Sequence, residues 1–167
     1  SAVLDAGPFF EHSVTAAKLL GRRAALIVGQ DTGNRPASLP NSVVACDYVP
    51  FSELFPRAAA IVHPGGIGTT GLAMRSGRPM LVMPCAHDQF DNAARVTRLG
   101  IARTISRRRY SPTHVAAELR PLLDNPEYSQ RASGIGERVR REDGVRAACD
   151  ALEELLRAGL PAEAVVK

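Results

Sequence analysis

The sequence predicts a doubly wound α/β fold, a mostly parallel sheet with helices packed on both faces. Three observations predict it. Short apolar runs recur without the polar alternation of a half-exposed strand, stretches with helical spacing separate them, and glycine or proline marks most of the junctions. All 167 residues read as one domain, long enough to bury a substantial core. An apolar share of 45% beside a charged share of 23% is globular and argues against disorder.

The elements follow in order. Pro8 to Leu20 reads as a helix, with Phe9, Val14, Ala17 and Leu20 at helical spacing and Gly21 as its stop. Ala24 to Val28 is a buried strand ended by Gly29, and Gln30 to Pro40, rich in Gly, Asn, Ser and Pro, is a loop. Val43 to Val49 is a second strand, Phe51 to Pro56 at most a short helix, and Ala58 to Val62 a third strand running straight into His63. Thr69 to Ser76 is a helix closed by Gly77, and Met80 to Met83 a strand closed by Pro84. Asp88 to Leu99 is a helix with Asp88 placed as N-cap and Gly100 as C′. Ile101 to Ile105 is a short strand, and three helices follow, Pro112 to Leu123, Pro126 to Arg141 and Val145 to Ala158.

A doubly wound domain of this kind opens on a strand that becomes central in the sheet. Ser1 to Asp5 is too short for one, and a vacant central slot would leave buried N–H and C=O groups unpaired. The expectation is a piece of a longer polypeptide. Either a segment of a complementary chain fills the slot, or Ala24–Val28 pairs directly with Ala58–Val62.

Composition bounds the function. The net charge of +4 is mild, compatible with an anionic ligand without calling for nucleic acid. All basic residues but Lys18 and Lys167 are arginine. Cys46, Cys85 and Cys149 are scattered, which fits neither a disulfide framework nor a zinc site and points to a reducing cytoplasm. The mean hydropathy of −0.08 and the absence of a long uncharged stretch argue against a membrane span, and no basic leader precedes Asp5 and Glu11.

The informative stretch is His63 to Asn92. It begins at the carboxyl end of a strand, where Gly65, Gly66 and Gly68 let a ligand approach the backbone and Thr69 and Thr70 open a helix. Strand, glycine turn and helix N-terminus together make an anion site, because free amides point out along the positive end of the dipole. Two hydroxyls and the His63 imidazole add donors, and a phosphate or diphosphate suits the set. It is neither a Walker loop, for no Lys follows, nor G-x-G-x-x-G. The plain alternative is a set of glycines that only turn the chain. One βαβ unit later, His87-Asp88-Gln89 lies at the next carboxyl end, where ligands of open α/β sheets bind. Asp88 and Gln89 suit sugar hydroxyls, and the plain alternative makes Asp88 a helix cap and Gln89 a solvated side chain.

Taken together, H-x-G-G-x-G-T-T from His63, Gly77-Arg78-Pro79, Pro84 and Asp88-Gln89-x-x-Asn92-Ala93 resemble the donor-binding signature of UDP-glycosyltransferases, most closely the bacterial enzymes that glycosylate natural products such as macrolides. Tyr48-Val49-Pro50 and Leu54 to Ala58 match upstream in order and spacing, so the resemblance covers about residues 8 to 158. It implies the C-terminal, Rossmann-like half of a two-domain GT-B enzyme. His63 would contact the diphosphate; backbone at Gly65, Gly66, Gly68 and Thr69 and the hydroxyls of Thr69 and Thr70 would hold phosphate oxygens. Asp88 and Gln89 would bind the sugar, and the backbone of Val49 and Pro50 the uracil or thymine ring. Phe51 replaces the usual Gln after the proline, and Gly71 stands where plant relatives carry a ribose-binding Glu, which leaves UDP and dTDP both open.

The resemblance implies metal-independent, inverting hexosyl transfer to an acceptor hydroxyl, with no cofactor beyond the UDP- or dTDP-sugar. The acceptor and the general base belong to an N-terminal domain. Two other readings stand beside it: a nucleotide-sugar epimerase, and a non-catalytic donor-binding module paired with a separate subunit. Elsewhere, Arg107-Arg108-Arg109 reads as a solvated loop, His12 and His114 as helix surface, and His87 as a neighbour of the donor pocket.

Overall fold

A computed structural model describes residues 6–158. Its elements are α1 (Gly7–Leu19), β1 (Ala24–Ile27), β2 (Val43–Cys46), α2 (Phe51–Leu54), β3 (Ile61–His63), α3 (Ile67–Ser76), β4 (Met80–Val82), α4 (Gln89–Arg98), β5 (Ala102–Thr104), α5 (Pro112–Asp124), α6 (Pro126–Arg141) and α7 (Gly144–Ala158). Short 3-10 turns occupy Thr32–Asn34, Phe55–Arg57 and Arg107–Arg109. The alternation of parallel strands and helices is as read from sequence. The strands are shorter than the apolar runs suggested, because Asp47 to Val49 and Ala58 to Ala60 are exit and approach segments with no ladder partner, and β3 runs one residue past the expected Val62, to His63.

The strands form two parallel sheets, β1–β2 and β3–β4–β5. Registers run Ala24↔Val43 to Ile27↔Cys46, Ile61↔Met80 to His63↔Val82, and Met80↔Ala102 to Val82↔Thr104. β1 does not pair with β3, so the direct closure of Ala24–Val28 onto Ala58–Val62 is wrong. Each strand finds its ladder partner elsewhere, β1 on β2 and β3 on β4. The stretch from Ser1 to Asp5, on which the other half of that expectation turns, lies outside the described residues.

β4 is the centre: Met80, Leu81 and Val82 are all buried. Met80 and Val82 face a core with Phe55, Ile61, Ala73, Ala93, Val96 and Ala132, whereas Leu81 faces the opposite core with Ala16, Ile105, Val115 and Leu122. Burial on both faces is what continuous apolar strands require. α1 spans both sheets, setting Phe10 against Leu26, Val28 and Val43 and Ala16 against the β4 side. Tyr110 ties this helix down. Its ring stacks on Phe9 with centroids 4.8 Å apart, its hydroxyl meets Ser13 Oγ at 2.8 Å, and its carbonyl accepts from His12 Nδ1 at 2.7 Å. His12, expected on a solvated surface, is therefore half-buried and held. His114 is exposed in the first turn of α5, its Nδ1 2.8 Å from Ser111 Oγ.

Candidate functional site

The carboxyl ends of β3 and β4 carry the site. β3 ends on His63, and the chain turns through Pro64, Gly65 and Gly66 into α3. Gly65 has φ +91°, and a Cβ there would lie 2.8 Å from Val82 Cγ1 and 3.2 Å from the Gln89 carbonyl oxygen. Both backbone and space demand glycine. Gly66 and Gly68 differ. A Cβ on either meets nothing within 4 Å, so open space lies in front of them. Gly66 also has φ −59°, which any residue adopts.

Helix α3 begins at Ile67, two residues before the expected Thr69, with Gly66 as N-cap and no side chain capping it. Its first intrahelical bond is Thr70 N–H to Gly66 O at 2.9 Å. The amides of Gly66, Ile67, Gly68 and Thr69 have no partner among the described residues, as the geometry of a helix start dictates. They lie at the positive end of the helix dipole.

Two expected donors are committed elsewhere. Thr70 is buried and its hydroxyl donates to Gly66 O at 3.0 Å, fastening the N-cap. His63 is 4% exposed. Its Nδ1 accepts from the Gly65 N–H at 3.0 Å, so the ring proton sits on Nε2, 3.4 Å from Met80 Sδ. Burial lowers its pKa from 6.5 to about 4 and keeps it neutral. The imidazole thus lies beneath the glycine turn, orienting it, and is not a free donor at its surface. Thr69 is half-buried.

Across from this turn, β4 leads through Pro84 to His87, the one described non-glycine residue with left-handed backbone, at φ +55°. Gln89 holds that loop: its Oε1 accepts from the Cys85 amide at 2.8 Å and the Ala86 amide at 3.1 Å. Only its Nε2 remains to reach outward. Asp88 sits at the N-cap position of α4 but has helical backbone and caps nothing. Its Oδ2 accepts instead from Asn92 Nδ2 at 2.8 Å, and the carboxylate is exposed. Asn92 is the residue that the separate readings of the two loops missed. It is 8% exposed, and the same Nδ2 donates to Gly65 O at 2.9 Å. Its position four residues after Asp88 on a helix was the available signal.

Val49 and Pro50 lie where the chain leaves β2 for α2. The Pro50 carbonyl is taken by the amides of Glu53 and Leu54, at 3.0 and 3.1 Å. Of the two residues expected at the base, only Val49 keeps a carbonyl clear of backbone bonding among the described residues.

The fold is widely shared. The structure of the kitacinnamycin glycotransferase superposes with a TM-score of 0.78 at 32% identity, over 88% of this chain and 39% of that one. The glycosyltransferase VinC, solved in complex with dTDP, gives 0.79 at 27% identity, over 89% and 37%. In sequence, O-mycaminosyltylonolide 6-deoxyallosyltransferase of Streptomyces fradiae is 37% identical over 145 residues, 86% of this chain and 33% of that enzyme. A sterol 3-beta-glucosyltransferase of Eremothecium gossypii is 35% identical over 125 residues, 75% of this chain and 10% of that protein. Open parallel sheets with helices on both sides, matched to one part of such enzymes, define the class by fold, that of the C-terminal half of GT-B glycosyltransferases. Residues 17–152 match the erythromycin biosynthesis protein CIII-like C-terminal domain, and the chain belongs to that family. It spans about a third of the deoxyallosyltransferase.

Proposed function

We propose that this chain is the donor-binding domain of an enzyme that transfers a hexosyl or deoxyhexosyl group, with inversion, from a UDP- or dTDP-sugar to a hydroxyl of a small lipophilic acceptor. The observation that carries the reading is the start of α3, with four unpartnered amides behind the open space at Gly66 and Gly68. Negative charge grows on the nucleoside diphosphate as the glycosidic bond breaks, and fixed amides and a helix dipole stabilise it without reorganising. His63 holds the turn through Gly65, the Thr69 hydroxyl adds a donor, and Thr70 keeps the N-cap in place. Asp88 and the Gln89 Nε2 bind sugar hydroxyls, and the Val49–Pro50 backbone meets the base. A glycosyltransferase co-crystallised with dTDP among the structural neighbours supports the donor class, and the deoxyallosyltransferase supports the sugar class. The relatives favour transfer over epimerisation. A second domain, of the kind that makes up the rest of those relatives, supplies the acceptor pocket and the general base, in a reducing cytoplasm where Cys46, Cys85 and Cys149 stay free.

Calorimetric titration of the chain with UDP, dTDP, their hexosides and the free nucleosides tests the reading. Diphosphates should bind and nucleosides bind at least tenfold more weakly, with no transfer to any acceptor by the chain alone. Gly68→Ala should weaken the diphosphates about tenfold while leaving the unfolding temperature unchanged or raised, since Ala is the better helix former. Equal affinity for nucleoside and diphosphate, or no binding by the unaltered chain, refutes the reading.

A further inference from the structure

Both hydrogens of the Asn92 side-chain amide are spent on acceptors. One goes to the Gly65 carbonyl in the glycine turn at 2.9 Å, the other to Asp88 Oδ2 at the start of α4 at 2.8 Å. Neither partner can donate, so the amide orientation is fixed by chemistry. The side chain is nearly buried, and its own helix sets its height. On the reading above, Gly65 leads the diphosphate turn and Asp88 is a sugar ligand. From these contacts we infer that Asn92 is a positioning residue that sets the spacing between the diphosphate and hexose subsites of the donor.

The geometry leaves it little freedom. A planar NH2 group holds its two N–H bonds at a fixed angle, so the Gly65 oxygen and the Asp88 carboxylate are locked to one another through a single nitrogen. Engaging one carboxylate oxygen of Asp88 leaves the other, on an exposed group, for a sugar hydroxyl. The space a Cβ on Gly65 would need is filled by Val82 and the Gln89 carbonyl, which leaves the turn little room on that side to compensate. The turn is thus clamped from one side by His63 Nδ1 on the Gly65 amide and from the other by Asn92 on the Gly65 carbonyl. Gln89 fixes the opposite loop, and only Asn92 joins the two loops by a side-chain hydrogen bond among the described residues.

The inference rests on the donor-site reading, and the test separates the two. In the isotope-labelled, unaltered chain, the Asn92 side-chain amide gives a pair of resonances. A UDP-hexose should shift both protons, whereas UDP should shift chiefly the one bonded to Gly65. If the backbone amides of residues 66 to 69 move with nucleotide while the Asn92 pair does not, the positioning role is wrong and the site stands. If those backbone amides do not move with any UDP or dTDP ligand, both fall. Asn92→Asp, isosteric but without donors, and Asn92→Ala, which adds no charge, give the affinities. Each should weaken UDP-hexose about tenfold more than it weakens UDP, the order expected from losing a hydrogen bond to a charged ligand-binding group. A folded variant that weakens both ligands by the same factor, or neither, overturns the role. The resonance measurement decides the matter if neither variant folds.

Discussion

At the scale of single residues, His63 shows how far a motif can be trusted. Its place at a strand end beside three glycines was legible, but its direction was not, because burial and the Gly65 amide decide which way the ring faces. The same burial makes stability depend on pH. The folded chain protonates His63 near pH 4, and the unfolded chain near 6.5. Between those values the unfolded state binds more protons, so stability falls as pH falls. The stability contributed by the neutral ring is complete above pH 6.5 and drains away as pH falls toward 4, to a total of roughly 3 kcal/mol. Urea unfolding across that range should show the loss in the unaltered chain and a flatter profile in His63→Gln. Equal profiles would mean that the ring is solvated. Thr70, Gln89 and Asn92 teach the same lesson. Residue type announced polar chemistry at each but not the partner. Gly66 O for Thr70, the Cys85 and Ala86 amides for Gln89 and the Asp88 carboxylate for Asn92 lie within about one helical turn in sequence. Only the Gly65 carbonyl that Asn92 also reaches comes from a loop distant in sequence.

At the scale of elements, the helices were legible almost to the residue, because glycines and prolines stop them. Gly77 and Gly100 take φ +68° and +70° at the ends of α3 and α4, as their positions foretold. What single-strand periodicity could not carry is the contact between elements. Gly136, in the middle of α6, reads only as a poor helix former, yet a Cβ there would lie 2.8 Å from Gly77 Cα and 2.9 Å from Gly77 N. The end of α3 therefore touches α6 backbone to backbone, a junction tightened by Arg140 Nη1 donating to Arg75 O at 2.7 Å. Gly136→Ala gains helix propensity and should still destabilise, by about 1–3 kcal/mol, since backbone cannot yield as a side chain does. A urea midpoint that rises in this variant would show that the helices part without cost.

At the scale of the whole molecule, α/β alternation and parallel pairing were legible, and the division into two sheets was not, since no local pattern reports which strand lies beside which. Nor did the apolar stripe of α7 announce its state. Val145, Leu152, Leu155 and Leu156 are exposed, and no residue of this helix is buried among the described residues. Charging the stripe with Leu152→Glu and Leu156→Glu should shift the unfolding free energy by less than about 0.5 kcal/mol and lower turbidity at high concentration. A large loss would mean that α7 packs on this core after all. The two sheets have a further consequence. Among the described residues they share no backbone ladder, and the chain crosses from β2 to the core around β4 through Val49 and Pro50, the stretch proposed to meet the base. α1, pinned by Tyr110, is the spine of a two-leaved book. A nucleotide lying from Val49 to the head of α3 would act as a rivet through both leaves, so its first effect would be on how widely the book breathes.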